Sequence, residues 1–332
     1  MKRKTLAFGF FILLSMGLVI SPLFSQSALG QKFPSRPIEI VVSYGPGGDQ
    51  DLLARLVAEI APKYLGQPIS VINKPGAGGA VAAAEVISSK PDGYKLITLT
   101  NTFFSITTKT QKIPFDPADL TPLSSFMQYR EGICVRGDSP WKTFNDLLDY
   151  ARKNPGKLKW ANSGRGIAPH IAVLSIFKKA GVETIDVPYK GGNAEKIPAL
   201  LGGHVDAAQM SFIGPVVDFV KAGKIRYLAS ISERRYADLP GVPTIAELGF
   251  PESAKLNVLA TLCIHKDTPE EIKKILIDTF KKTYDDPEFK KGLDKIGAEP
   301  RFGGPEFVNE SIKRGEEVSV PVLKDLGLYV GK

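Results

Sequence analysis

Short β-branched runs that alternate with amphipathic helix patterns constrain this chain more than any other feature it has. Strand-like runs stand at 38–43, 69–73, 95–100, 132–135, 157–161, 185–187, 206–210, 226–230 and 258–264, with helical spacing in the gaps. Strands separated by helix-length connections pair in parallel and bury both faces, so an α/β fold of parallel sheets with flanking helices is expected. The clearest unit is IEIVVSYGPGGDQDLLAR, where an apolar run breaks into Gly45-Pro46-Gly47-Gly48. Leu52, Leu53, Leu56, Val57 and Ile60 then share one helix face. Asp49 is placed to cap that helix, with Asp51 in its first turn. Pro62 should end or kink it near Ala61. Further along, Thr143 with Asp146 reads as a capping box, and Thr268-Pro269-Glu270-Glu271 reads as a cap followed by a proline at the first helical position.

The first thirty residues read as a targeting segment rather than as part of the fold. Lys2, Arg3 and Lys4 precede an apolar run over 6–24, and small residues follow at Ser27, Ala28 and Gly30. An uncleaved anchor is the alternative, but Pro22 and the small residues favour cleavage, and no cysteine lies there to carry a lipid. An exported, periplasmic chain is therefore expected. About 300 residues remain, which suits two domains better than one. Apolar stretches followed by proline turns, at 128–135 and 254–265, are the candidate crossings between them.

The formal charge is +8, and removal of the three basic residues of the leader leaves +5. Basic residues are scattered, with no block and no aromatic-basic stripe, so a nucleic-acid role finds no support. A modest positive balance suits an anionic small molecule, and it suits a merely soluble surface equally well. Cys134 and Cys263 each lie in a short apolar segment. They read as buried thiols used as small hydrophobes, or as a disulfide in an oxidising compartment.

Four glycine-rich turns follow strand-like runs, at 45–48, 73–79, 162–166 and 188–192. A strand that feeds a helix through glycines leaves backbone N–H groups at a positive dipole end, which makes either an anion receptor or an ordinary βα turn. In open α/β sheets such loops gather at the carboxyl ends of strands, where ligands bind. Enzyme signatures are weaker. Gly76-Ala77-Gly78 has Val81 at the sixth position of a dinucleotide fingerprint, and no glycine loop is followed by the lysine of a phosphate cradle. Ser163 lacks the flanking glycines of a nucleophile elbow. His170, His204 and His265 show no metal-ligand spacing and read as structural, so neither metal nor cofactor is expected. Asp206 either faces a cleft or caps a turn.

The ordered segments FPSRPIEIVVSYGPGGDQDLLAR, NKPGAGG, PDGYKL, SPWKTFNDLLDYARKNPGKLKWANSGRG, VPYKGG, GGHVDAA and VKAGKIRYLA together resemble the solute receptors of tripartite tricarboxylate transporters, also called Bug receptors. The resemblance spans nearly all of the exported chain. It implies a two-domain periplasmic binding protein of type II, with two crossover strands joining 31–131 plus 256–332 to 132–255. It implies a non-enzymatic, monomeric receptor that binds a small carboxylate between the domains and delivers it to integral membrane transporter subunits. Carried over by position, Tyr44, Gly47, Gly48 and Asp49 would close on the ligand, with Asn101 and Thr102 flanking it. Ser163, Gly164 and Gly166 would donate to a carboxylate, Tyr189, Lys190 and Gly191 would line its other side, and Asp206 matches an acidic position that meets an amino group in some members. Arg165 would pair with a distal carboxylate or remain solvated.

The chain departs from the family pattern at Ile167, where threonine is usual, and at Gly45 and Gln50. Ile167 and Met210 lead us to expect a less polar pocket suited to a longer or aromatic carboxylate. Two rival readings remain: a secreted α/β enzyme that uses Asp206 or His170 as base, and a receptor that docks on a signalling protein.

Overall fold

The computed structural model describes residues 33–330, so the targeting segment expected at 1–30 lies outside the described residues. In chain order the strands are β1 (Ile38–Val42), β2 (Ile69–Asn73), β3 (Lys95–Thr100), β4 (Leu120–Gln128), β5 (Glu131–Arg136), β6 (Lys159–Asn162), β7 (Ile185–Pro188), β8 (Ala207–Ser211), β9 (Ile225–Ser230), β10 (Leu259–His265) and β11 (Glu299–Gly303). They form two sheets with helices packed on them, of order β11-β4-β10-β3-β1-β2 and β7-β6-β8-β5-β9.

The sheets are mixed, not parallel throughout. β1 runs parallel to β2 and β3, and β6 runs parallel to β7 and β8. β10 is antiparallel to β3 and β4, and β5 is antiparallel to β8 and β9. The antiparallel strands β5 and β10 are those by which the chain passes from one sheet to the other. A strand that arrives from the neighbouring sheet enters end-on, without the returning helix that makes a βαβ unit parallel. At the passage the two segments pair: Tyr129 N–H donates to Val258 O at 2.8 Å, and Ile231 N–H donates to Glu131 O at 2.8 Å.

β4 and β11 escaped the pattern reading for a physical reason. β4, LTPLSSFMQ, is buried along most of its length, so its serines and proline show no alternation. Pro122 opposes Cys263 at a register shift, where a missing N–H is tolerated. β11, EPRFG, is a proline-containing edge strand.

Helix ends follow local chemistry. The helix Asp49–Ile60 buries Leu53, Ala54 and Val57, and a new helix Pro62–Leu65 starts after Ala61. Thr143 and Asp146 form the reciprocal capping box. The helix Glu270–Asp285 starts one residue later than expected, because Pro269 takes the cap position in an extended conformation (φ −52°, ψ 138°) and leaves Thr268 Oγ1 buried without a partner. The first sheet's core gathers Phe126, Phe280 and Phe289, and the second gathers Phe144, Trp160 and Phe177, each burial stabilising by roughly 1.5–3 kcal/mol. The C-terminal helix Pro305–Asp325 serves both: Ser319 Oγ donates to Ser105 O at 2.9 Å, while Leu323 joins the core around Ile171 and Val173. Cys134 and Cys263 are buried free thiols in separate core clusters, so no disulfide links them.

Candidate functional site

Three helices begin where strands of the two sheets end. β1 leads into Asp49–Ile60, β6 into the helix Ala168–Lys179 and β7 into the helix Asn193–Leu201. Their cap residues are Gly48, Ile167 and Gly192, and no side chain caps any of the three. All three cap residues line one cleft between the sheets. First-turn N–H groups without a side-chain acceptor carry partial positive charge, so the cleft has three anion-attracting ends. Gly192 has φ 65° and ψ −139°, a conformation open only to glycine, and it turns the chain into its helix.

The loop from the first sheet is held rigidly. Asp51 accepts from Gly47 N–H at 2.8 Å, from Asn73 Nδ2 at 2.9 Å and from Arg55 in two bonds of 2.9 and 3.0 Å. Asn73 Nδ2 also donates to Tyr44 O at 2.9 Å. Gln50 Oε1 accepts from Ser43 Oγ at 2.8 Å and Thr98 Oγ1 at 2.6 Å. Asp49, expected as the cap, is instead the first helical residue. Its carboxylate reaches across the cleft to Ser211 Oγ and to Asn193 Nδ2, the latter at 3.1 Å. The loops also touch, since a Cβ on Gly45 would stand 3.1 Å from Gly191 Cα. The open volume that remains is about 50 Å³, room for a few waters and far below the roughly 300 Å³ of a typical ligand pocket.

The opposite wall carries a buried polar network. Lys196, only 1% exposed, donates to Ser163 Oγ at 2.7 Å and Gln209 O at 2.6 Å. Gln209 Nε2 donates to the Glu131 carboxylate. Burial pushes the Glu131 carboxyl up to about 7, with Lys196 opposing and Asp49 adding to the rise. Asp49 keeps some exposure, yet the surrounding protein pushes its carboxyl up to about 6. Burial also lowers the pKa of Lys196 and raises that of Tyr44.

Of the residues singled out from the sequence, Tyr44, Gly48, Asp49, Thr102, Ser163 and Ile167 line the cleft. Gly47 is engaged with Asp51. The N–H groups of Gly164 and Gly166 are taken by Asn162 Oδ1 at 2.8 Å and His170 Nδ1 at 3.2 Å. Arg165 is exposed and pairs with Asp186 at 2.7 Å. Asn101 holds the returning chain, accepting from Leu259 N–H at 2.8 Å and donating to Ser311 Oγ at 2.9 Å.

Tyr189 N–H donates to Asn162 O, Lys190 is exposed, and Gly191 abuts Gly45, so Gly192 is the residue of that turn that reaches the cleft. Asp206 lies at the opposite end of β8 from the cleft and accepts from Lys159 N–H at 2.8 Å. Met210 is fully buried among Cys134, Leu200 and Tyr227, because alternation along β8 turns Ser211 to the cleft and Met210 away. The loop 73–79 is outside the lining, although a Cβ on its Gly78 would meet Ile167 at 3.0 Å.

Sequence reasoning missed Gln50, Thr100, Tyr129, Glu131, Ser211 and Val258 on the lining, and Lys196 behind it. Thr100 and Ser211 carried a signal, Thr100 at the carboxyl end of an expected strand and Ser211 just past one. His170 is buried and stacked on Trp160 with ring centroids 5.7 Å apart, a structural histidine whose pKa burial lowers.

Compared with known proteins, residues 53–328 match the family described as tripartite tricarboxylate transporter family receptor. The UPF0065 protein in the gbd 5' region of Cupriavidus necator is 36% identical over 322 residues, which cover 95% of this chain and 94% of that protein. Two solved structures are similar along their whole length. R. palustris Rpa4515 with adipate has a TM-score of 0.80 and 29% identity, with 89% of this chain and 98% of that chain covered. MatC from Rhodopseudomonas palustris with bound malate has a TM-score of 0.76 and 28% identity, with 86% and 99% covered.

Proposed function

Since the chain belongs to the tripartite tricarboxylate transporter receptor family and has the fold of a periplasmic binding protein, we propose that it captures a small carboxylate in this cleft by domain closure. The ligand class is a di- or aromatic carboxylate, and the loaded receptor delivers it to integral membrane transporter subunits without chemical change. The protein acts as a monomer in the periplasm after loss of the leader at 1–30. One lobe comprises 31–131 plus 256–332 and the other 132–255, and they rock about the paired crossings.

The observation that carries this reading is the convergence of three helix starts, at Gly48, Ile167 and Gly192, on one cleft with no side chain capping any of them. The adipate and malate bound to the two similar proteins support the chemical class. A carboxylate gains about 1.5–3 kcal/mol from each charge-assisted hydrogen bond. A micromolar dissociation constant corresponds to about −8 kcal/mol, so several such bonds from both lobes are needed to offset the cost of ordering. Closure needs a ligand that touches both lobes, because only differential affinity moves an open–closed equilibrium.

Calorimetry against a panel of mono-, di- and aromatic carboxylates, paired with small-angle scattering, tests the reading. Micromolar binding of at least one acid, with a smaller radius of gyration when bound, is expected. An unchanged radius at saturation sinks closure, and recovery of altered ligand after long incubation would replace the receptor with an enzyme.

A further inference from the structure

We infer that the captured carboxylate also carries an ammonium group, and that Glu131 is the residue that selects for it. The inference rests on the carboxylate-receptor reading and narrows its ligand class.

Two acids and one base, Asp49, Glu131 and Lys196, meet at the cleft beside the phenols of Tyr44 and Tyr129. The base is fully spent. The three donors of the Lys196 ammonium meet Ser163 Oγ, Gln209 O and Gln209 Oε1 at 2.7, 2.6 and 3.3 Å. Glu131 is 7% exposed and lines the cleft, and only one of its oxygens is engaged, by Gln209 Nε2. The other oxygen has no hydrogen-bond partner among the described residues. Glu131 stands opposite Ser211 in the β5–β8 ladder, beside the groups that hold Asp49. Asn193 adds a second unpartnered acceptor: its Nδ2 serves Asp49 and Ser211, and its buried Oδ1 has no partner.

The wall's one lysine is therefore committed, and two of its acceptors, on Glu131 and Asn193, meet no donor. A ligand with carboxylates alone would bring further acceptors and a further negative charge to two acids that share one lysine. An ammonium group offers three donors and one positive charge, and it suits Glu131 and Asp49 together. The Ser163 hydroxyl, which accepts from Lys196 and keeps its own proton, remains for the ligand's carboxylate with the helix start at Ile167. The lifted carboxyls of Asp49, about 6, and Glu131, about 7, follow from burial that their shared neighbour Lys196 offsets only in part.

The test is calorimetry at pH 7.5 in EDTA with acids that differ only by an ammonium group: glutarate and glutamate, succinate and aspartate, 4-methylbenzoate and 4-(aminomethyl)benzoate. The ammonium-bearing member of at least one pair should bind ten times more tightly or better. Glu131→Gln keeps the shape and the Gln209 contact, and it should cut that advantage below threefold. Titration of the wild type in buffers of different ionisation enthalpy gives a readout free of any variant: the ammonium-bearing acid should release protons from the protein, and its plain counterpart should take them up. Tighter binding of the plain acids, or a preference unchanged in Glu131→Gln, overturns the inference and leaves the carboxylate receptor standing. Plain acids that bind tightly only when calcium replaces EDTA also overturn it, since a metal ion would then supply the charge. If no acid of any pair binds, the carboxylate reading falls as well.

Discussion

The two walls of the cleft are built on opposite electrostatic plans. On the first-sheet side, Asp51 is matched by Arg55, Asn73 and the Gly47 N–H, and Gln50 is matched by two hydroxyls, so the loop is a closed network that fixes shape. On the second-sheet side, Lys196 and Gln209 are fully engaged, while one Glu131 oxygen and Asn193 Oδ1 meet no donor. A satisfied polar network rigidifies, whereas a partly satisfied one invites a partner. In the proposed receptor the first wall fixes the shape of the cleft, while the second carries the unpartnered acceptors a ligand would meet.

The contrast is broken most severely by removing the lone base. Lys196→Met leaves Asp49 and Glu131 without a neighbouring cation and should cost about 3 kcal/mol at pH 7 by urea denaturation. At pH 5, where both acids are protonated, the loss should shrink; an equal loss at both pH values would mean that Lys196 matters only for packing.

The acids predict a pH dependence of the ligand-free protein. Asp49 and Glu131 have folded pKa values raised to about 6 and 7, so their contribution is full below pH 4 and is lost as pH rises through 6 and 7. His170 acts in the opposite sense, because burial lowers its pKa and it resists protonation as pH falls. Melting temperature should therefore rise by several degrees from pH 7.5 to 5 in the wild type, and by clearly less in Asp49→Asn combined with Glu131→Gln. Parallel curves for the two proteins would remove these acids from the account.

On the matched wall, Asp51→Ala strands the Gly47 N–H and frees the loop, and should cost roughly 2 kcal/mol of stability. It should also weaken ligand binding, whereas Lys196→Met acts first on folding. The smallest effect is expected at Gly45→Ala, where the added methyl would meet Gly191 at 3.1 Å. Stability should change by less than about 1 kcal/mol, while affinity falls a few-fold if that close approach accompanies capture. Affinity equal to wild type would separate the contact from binding.

Much of this architecture could be read before any coordinates. Strand-glycine-helix units are local, and their apolar spacing marks β1, β6 and β7 and the helices that follow. What escaped was what depends on the third dimension. All of β8 is buried, so nothing in AAQMS tells which parity faces the cleft, and Met210 was singled out where Ser211 stands. Glu131 and Lys196 look like ordinary surface charges in a sequence, and only the fold withdraws them from water. Asp49 sits one residue inside the helix it was expected to cap, a shift that sends its carboxylate across the cleft. The parallel-sheet expectation failed at β5 and β10 because an alternation of strands and helices says nothing about which sheet a strand joins.

The C-terminal helix Pro305–Asp325 bridges the two halves. It is seated in one half through Leu323 and bonded to the other through Ser319. A splint laid across a joint limits its travel, so any gape of the jaws would have to be a shallow roll that keeps both attachments seated. A receptor trimmed ahead of Ser319 would swing more loosely and hold its cargo less selectively.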